Sequence, residues 1–300
     1  MMAISYLKQV ATNLKRPMVI CLGIGTSQAA HMGQCVLCDY LRDMNSTTGY
    51  SVVVGAGNEG NTGHHFYGEI DPSIGLQDVE VMVGSEEYGF SMELWGDSPN
   101  LYGAEVTAPD GTLLAVIPPS DIQQNTVHIE YEGMVINIDN NIKESRVGDN
   151  FILFRICNPM EGLWNFRIVS FGNLPMTYHI WLPMEKFITN TYFINANPFT
   201  TLAVPANVEL LLSITAYDPI DLTLYDNASR GFTKDNIPKP NVAAPGVHIY
   251  APSIGGAYIN ASGTGIATAY GVGTVAIFLQ WGLILGNLPE MNGIDVNRLL

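Results

Sequence analysis

The chain has 300 residues, 47% apolar and 14% charged, enough to bury one large core or two modest ones. Its formal net charge of −15 leaves no basic footprint, which argues against nucleic acid and anionic membrane surfaces and for a peptide or protein partner. Four cysteines (Cys21, Cys35, Cys38 and Cys157) are too few for a disulfide scaffold.

The opening Met1-Met2-Ala3-Ile4-Ser5-Tyr6 has no charged leader before an apolar run, so no signal peptide is expected. Ile4, Leu7, Val10 and Leu14 recur at helical spacing, and Met18 to Leu22 is a short apolar strand. Gly23-Ile24-Gly25-Thr26-Ser27-Gln28 follows that strand; a glutamine where the dinucleotide fingerprint needs its third glycine argues against a cofactor. A glycine-lined strand edge can instead hold an extended peptide by backbone hydrogen bonds. Cys35-x-x-Cys38 has redox or half-zinc spacing. Both cysteines fall in a helical stretch with Leu37, Tyr40, Leu41 and Met44, and no second pair completes a metal site, so they read as helix residues. Ser51 to Val54 is the next strand, giving a βαβ unit with parallel pairing and a right-handed crossover.

From about Asp71 to Ala196 the pattern changes to short apolar runs separated by turn signals. These are Val79 to Val83, Gly89 to Trp95, Thr112 to Ile117, Thr126 to Tyr131, Met134 to Ile138, Phe151 to Ile156, Leu163 to Val169 and Tyr178 to Leu182. Such spacing predicts a β-sandwich or jelly roll. Trp95, Trp164 and Trp181 could form a small-molecule or carbohydrate face there, although aromatics on alternating strands are more often sandwich core. Asp139-Asn140-Asn141 hints at calcium without supplying a ligand set, so no metal site is assigned. From about Asn197 mixed structure returns, with Val208 to Ala216 as strand. The uncharged stretch from Ser262 to Pro289 is long enough to cross a bilayer, but its glycines and the motif at its start favour a buried central helix and no membrane span. The outer regions are then one domain, 1–70 and 197–300, and 71–196 is an insertion.

Three segments carry the chemistry. Val53-Val54-Gly55-Ala56-Gly57-Asn58-Glu59-Gly60 delivers an asparagine from a strand into a glycine turn, where its amide can donate to a developing oxyanion. Ala244-Pro245-Gly246-Val247 and Ser262-Gly263-Thr264-Gly265-Ile266-Ala267 follow. Together, in this order, they resemble the subtilisin family of serine proteases, whose Ala-Gly-Asn-Glu-Gly, Ala-Pro-Gly-Val and Gly-Thr-Ser-Met-Ala patterns they match except for Gly265 and Ile266. Gly57 to His65, Gly89 to Gly96 and Ser229 to Thr233 look like the clostridial Csp-type subtilases, which carry a jelly roll inside the protease fold. Those proteins act in spore germination, where active members cut a cortex-hydrolase zymogen and pseudoproteases regulate the response.

The resemblance implies an α/β fold: a subtilisin-like parallel sheet flanked by helices, with an inserted β-sandwich (jelly-roll) domain. It implies that Asn58 lines the oxyanion hole, that Leu22, Gly23 and Ile24 form the substrate-binding strand edge, and that Gly265 stands at the nucleophile position. The partner it implies is a peptide or protein, such as another subtilase or a cortex-hydrolase zymogen, in a spore-associated setting; no cofactor is implied. The family's Asp-Thr/Ser-Gly and His-Gly-Thr motifs do not occur in these 300 residues and would lie upstream of Met1, so the chain resembles a fragment. His31, His64, His65 and His248 fall at non-catalytic positions, and Ser262 and Thr264 are poorly placed to substitute as nucleophile. Losing the serine or histidine of such a triad costs on the order of a million-fold in turnover, a figure that comes from subtilisin itself. Gly265 therefore predicts a chain able to hold a peptide but not to form an acyl-enzyme. The alternative is a truncated or deliberately inactivated copy of a true endopeptidase.

Overall fold

The computed structural model describes residues 1–119, 126–141, 148–171 and 174–300. In chain order the elements are α1 (Met2–Leu14), β1 (Met18–Leu22), α2 (Val36–Asn45), β2 (Tyr50–Gly55), β3 (His65–Ile70), β4 (Leu76–Val83), β5 (Gly89–Gly96), β6 (Leu101–Thr107) and β7 (Leu113–Ile117). Then come β8 (Val127–Tyr131), β9 (Met134–Asn141), β10 (Asn150–Cys157), β11 (Gly162–Phe171), β12 (Met176–Trp181) and β13 (Tyr192–Phe193). The last part holds β14 (Leu212–Tyr217), β15 (Val242–Pro245), β16 (Ile249–Pro252), β17 (Tyr258–Ala261), α3 (Thr264–Leu279) and α4 (Gly293–Leu299). They form two compact units, one of residues 1–26, 31–61 and 199–300, the other of residues 27–30 and 62–198.

The first unit is built on a parallel sheet ordered β1-β2-β14-β15, with Cys21 beside Val53 and Val53 beside Leu212. Parallel strands are covered on both faces, and β2 accordingly reads as one apolar run, Val52-Val53-Val54, with no exposure at any of the three. Val53 joins Leu212, Ile214, Ala267, Val275, Leu279 and Met291 in a core with α3 and α4. Val52 and Val54 alternate to the opposite face, and α2 contacts β2 with Cys38, Leu41 and Met44 buried. Asn45, at the end of α2, is fully buried: its Oδ1 accepts from Val52 N (2.8 Å) and its Nδ2 donates to Leu210 O (2.7 Å). That amide fixes the entry of two neighbouring strands.

Helix faces depart from expectation. In α1 the buried residues are Ile4 and Ala11, while Leu7 and Leu14 are exposed. The helix from Thr264 is not a buried central one. Its buried residues recur as a single stripe (Thr264, Ala267, Thr268, Gly271, Val275, Leu279), and Tyr270, Ile277 and Trp281 are exposed. By length and composition Thr264–Ile284 could cross a membrane, with mean hydropathy 1.4 and 28% of its most apolar window buried. The expected strand from Val208 begins only at Leu212, because Val208 to Leu211 form turns closed by Val208 N to Pro205 O and Leu211 N to Val208 O.

The second unit consists of two antiparallel sheets, ordered β3-β12-β5-β10-β9-β8 and β13-β4-β11-β6-β7. Alternate residues from both meet in one core that includes Ile70, Val81, Met92, Leu94, Ala104, Phe154, Trp164, Phe166 and Tyr178. Strands β3 and β6 were not foreseen, since Gly68 and Gly103 interrupt their apolar runs. Gly68 lies opposite Tyr178 in the β3–β12 register, and a Cβ there would meet that ring at 2.2 Å. Residues 27–30 belong to this unit: Ser27 Oγ donates to Leu182 O (2.8 Å), and Ala30 packs with Trp95, Trp181 and Phe151.

No tryptophan face is presented in this unit. Trp164 lies in the core with its indole N–H on Met160 O (2.8 Å), and Trp95 and Trp181 are also buried. Of the calcium candidate, Asp139 pairs with Arg155 and accepts from Thr126 Oγ1, and Asn140 accepts from Asn150 Nδ2 (3.4 Å); the side chain of Asn141 lies outside the described residues.

Candidate functional site

The site is assembled at the ends of parallel strands in the first unit. Beyond β2 the chain is tied down residue by residue. Ala56 N donates to Ile214 O (2.9 Å), Gly57 N to Thr264 Oγ1 (3.1 Å), Glu59 N to Ser229 Oγ (3.0 Å) and Gly60 N to Asn227 O (3.0 Å). Gly60 is required by close approach, because a Cβ there would lie 2.0 Å from Ala228 O. Gly57 has φ +106, a conformation that favours glycine.

These bonds deliver half-buried Asn58 to the start of α3. Its Oδ1 accepts from Thr264 N (3.0 Å) and from Thr264 Oγ1 (3.1 Å). Both donors select the carbonyl end of the amide, which leaves Nδ2 as the end available to donate elsewhere. Gly263 precedes the helix with its N–H on Gly246 O (2.8 Å), and Gly246 is squeezed so tightly that a Cβ would meet Ala216 Cβ at 2.6 Å. The glycine of the Ala-Pro-Gly-Val segment thus lets the loop lie against the helix start.

Gly265 is the second residue of α3 and is exposed. A Cβ built on it would come no closer than 3.9 Å to a neighbour, the carbonyl O of Gly23, and its φ lies outside the left-handed region. Neither crowding nor backbone conformation demands glycine here. Leu22, Gly23 and Ile24 continue the edge strand β1; Gly23 has nothing within 4 Å of a built Cβ, and Ile24 is 81% exposed. Just beyond, Thr26 and Val204 exchange backbone hydrogen bonds (3.1 and 2.8 Å), and Gly25 packs against Ala203, which ends the free edge. The structure therefore brings together Gly265, Gly23 and, through Thr264, Asn58.

Thr264, judged from the sequence to be poorly placed as a nucleophile, has a positioning role that the sequence reading did not assign. Weighed as a substitute nucleophile, it is 2% exposed, with its hydroxyl donating to Asn58 and accepting from Gly57 N–H. It positions Asn58 and is not free to attack. Its place between two glycines at the start of α3, Gly263-Thr264-Gly265, was the available signal. Ser262 Oγ accepts from His248 N (3.0 Å). Of the histidines, His31 is buried with its carbonyl accepting from Lys234 N, and His64 and His65 are buried in the second unit, where His65 Nε2 meets His179 Nδ1 at 2.9 Å.

Chemically, the site offers a side-chain amide donor, the backbone N–H of Gly265 and an open strand edge; the N–H groups of Thr264, Ile266 and Ala267 are already engaged with Asn58 Oδ1 and Gly263 O. At Gly265, beside the Asn58–Thr264 pair, it offers no side chain.

No family model matches the chain, and no curated protein matches it. Among solved structures it is similar to the Clostridium perfringens CspB protease, with TM-score 0.89 and 23% identity over 99% of this chain and 62% of that one. The chain thus spans about three fifths of the length of that protease. The likeness is one of fold alone: a mixed α/β chain with a parallel sheet and several antiparallel sheets, consistent with a subtilase-like fold.

Proposed function

We propose that this chain is a subtilisin-like protease homologue without its nucleophile, a pseudoprotease that binds an extended peptide or protein segment along Leu22–Ile24. The observation that carries this reading is Gly265, which lacks a side chain where the strand edge and the Asn58–Thr264 pair meet, 3.9 Å by its missing Cβ from Gly23 O. Asn58 Nδ2 is the oxyanion-hole donor in this reading. An unpaired strand edge with exposed backbone can add a peptide as a further strand. The acidic chain suits a protein partner over nucleic acid. The order of the two antiparallel sheets, in which β3-β12-β5-β10 faces β4-β11-β6-β7, supports a jelly roll for the inserted domain.

The Csp-type resemblance suggests the partner: a cortex-hydrolase zymogen or another subtilase, in the control of spore germination. Adding purified zymogen to the complete protein and following hydrogen exchange tests this. Protection of the amides of residues 18–24 is expected; unchanged exchange there contradicts the proposed groove.

A second reading, an inactivated or truncated copy of an active endopeptidase, is favoured by the open space around Gly265, which admits a serine without strain. The two diverge in the complete protein carrying Gly265→Ser. Recovery of proteolysis supports the second reading, and continued inactivity with retained zymogen binding supports the first.

A further inference from the structure

Cys35 and Cys38 are not plain helix residues as their spacing first suggested; they are joined as a disulfide. The bond spans three positions within one helix start, so the loop it closes is about as short as a disulfide allows and constrains the unfolded chain little. Its value as a staple is correspondingly small. Cys21 and Cys157 are free thiols in the same chain.

The two sulfurs are unequal. Cys35 is the N-cap of the ten-residue α2, in extended conformation (φ −143, ψ 163) and half-exposed, and its Sγ accepts from the N–H of Cys38 at 3.0 Å. Cys38 lies in the first turn with no exposure at all. An incoming reagent can therefore reach Cys35 and not Cys38. Once reduced, a Cys35 thiolate keeps the Cys38 N–H as a charge-assisted donor and sits at the positive end of the helix, both of which favour the thiolate. The one acidic group in that first turn, Asp39, is paired with Arg42 (2.9 Å), which also donates to Gly33 O (3.0 Å).

We propose that Cys35-Val36-Leu37-Cys38 is a thiol–disulfide exchange site for a dithiol reductant, with Cys35 as the sulfur attacked and Cys38 as the buried resolving sulfur. One thiolate of the dithiol attacks Cys35 Sγ. The Cys35–Cys38 bond breaks, its electron pair leaves on Cys38 Sγ, which takes a proton from solvent, and a mixed disulfide remains on Cys35. The second thiolate of the dithiol attacks its own bound sulfur and releases the Cys35 thiolate. Two electrons have then passed from the dithiol, now a disulfide, to the pair. In the reverse direction the Cys35 thiolate attacks an external disulfide, and Cys38 displaces the external thiol. Helix α2 outlasts reduction, because its buried face of Leu41 and Met44 and the cap at Cys35 Sγ do not need the bond.

The test uses the full chain carrying Cys21→Ser and Cys157→Ser, so that only this pair reports. Dithiothreitol is added under native conditions, followed by pulsed alkylation with iodoacetamide and peptide mass spectrometry. Cys35 is expected to become alkylatable without loss of the circular dichroism signal, at least tenfold faster than buried Cys38. In the same background, Cys38→Ser incubated with oxidised glutathione is expected to retain glutathione on Cys35, whereas Cys35→Ser retains none on Cys38. A bond that dithiothreitol opens only after denaturant is added, or equal alkylation rates at the two positions, overturns the proposal.

Discussion

Replacing Thr264 by valine tests how the candidate site is held. The side chain is 2% exposed and its hydroxyl makes two hydrogen bonds, donating to Asn58 Oδ1 and accepting from Gly57 N–H, each 3.1 Å long. Valine keeps the shape and removes both. One lost hydrogen bond costs about 1 kcal/mol, and a Gly57 N–H left without its acceptor in a half-buried setting adds about 1 to 2, for a total of roughly 2 to 3 kcal/mol. Thr264→Ser keeps both bonds and loses a methyl group, so about 1 kcal/mol is expected. Hydrogen exchange of the amides in residues 50–58 and 264–268 reads the local opening, and 2 kcal/mol corresponds to about thirtyfold faster exchange. Exchange within threefold of the parent, or a serine variant as perturbed as the valine one, would refute the role given to Thr264.

Gly60→Ala should destabilise the first unit by more than about 2 kcal/mol, since the new Cβ would sit 2.0 Å from the Ala228 carbonyl; urea unfolding measures it. Buried Lys239 has its ammonium on Leu211 O and Asn241 Oδ1 (2.8 Å), and burial lowers its pKa to about 7, only partly opposed by Glu209. Between pH 7 and 10.5 the unfolded chain holds the proton and the native chain does not, so stability rises with pH across that window. Because the two acceptors favour the ammonium, the gain expected is on the order of 2 kcal/mol, and Lys239→Met should flatten the urea midpoint between pH 7 and 9.5. Glu93 runs the other way. Burial raises its carboxyl to about 7 against the Trp95 indole N–H (3.1 Å) and the Ala29 backbone, so its contribution is full below pH 4.5 and is lost as pH rises through 7. Glu93→Gln should remove that slope from the unfolding of the second unit, read by tryptophan fluorescence.

What could be read from the chain was whatever backbone geometry imposes on residue type. Gly57, Gly60 and Gly246 are legible because a positive φ or a carbonyl or methyl within 3 Å excludes a side chain. The βαβ start was legible because a strand covered on both faces must be apolar throughout, as Val52 to Val54 are. Burial of helices was not. An uncharged helix reads as buried, yet α3 meets its sheet along one stripe and leaves Tyr270 and Ile277 in the open, a matter of which neighbours exist and not of its own composition. Strands β3 and β6 were lost because the glycines that make room for cross-strand neighbours also erase the apolar pattern. The positioning role of Thr264 was hidden because the partners of its hydroxyl, Asn58 and the Gly57 N–H, lie some two hundred residues away in the chain and meet it only in the fold. The Cys35–Cys38 spacing suits a helix face, a metal half-site or a disulfide equally, and only the caps and exposure of α2 separate them.

The most direct test of the central claim is to incubate the complete protein with a fluorophosphonate probe and map adducts by mass spectrometry. If Gly265 stands at the nucleophile position, as proposed, then with Thr264 engaged with Asn58 no adduct is expected on residues 262–268. An adduct on Ser262 or Thr264 would show an activated hydroxyl at this site and contradict the pseudoprotease account.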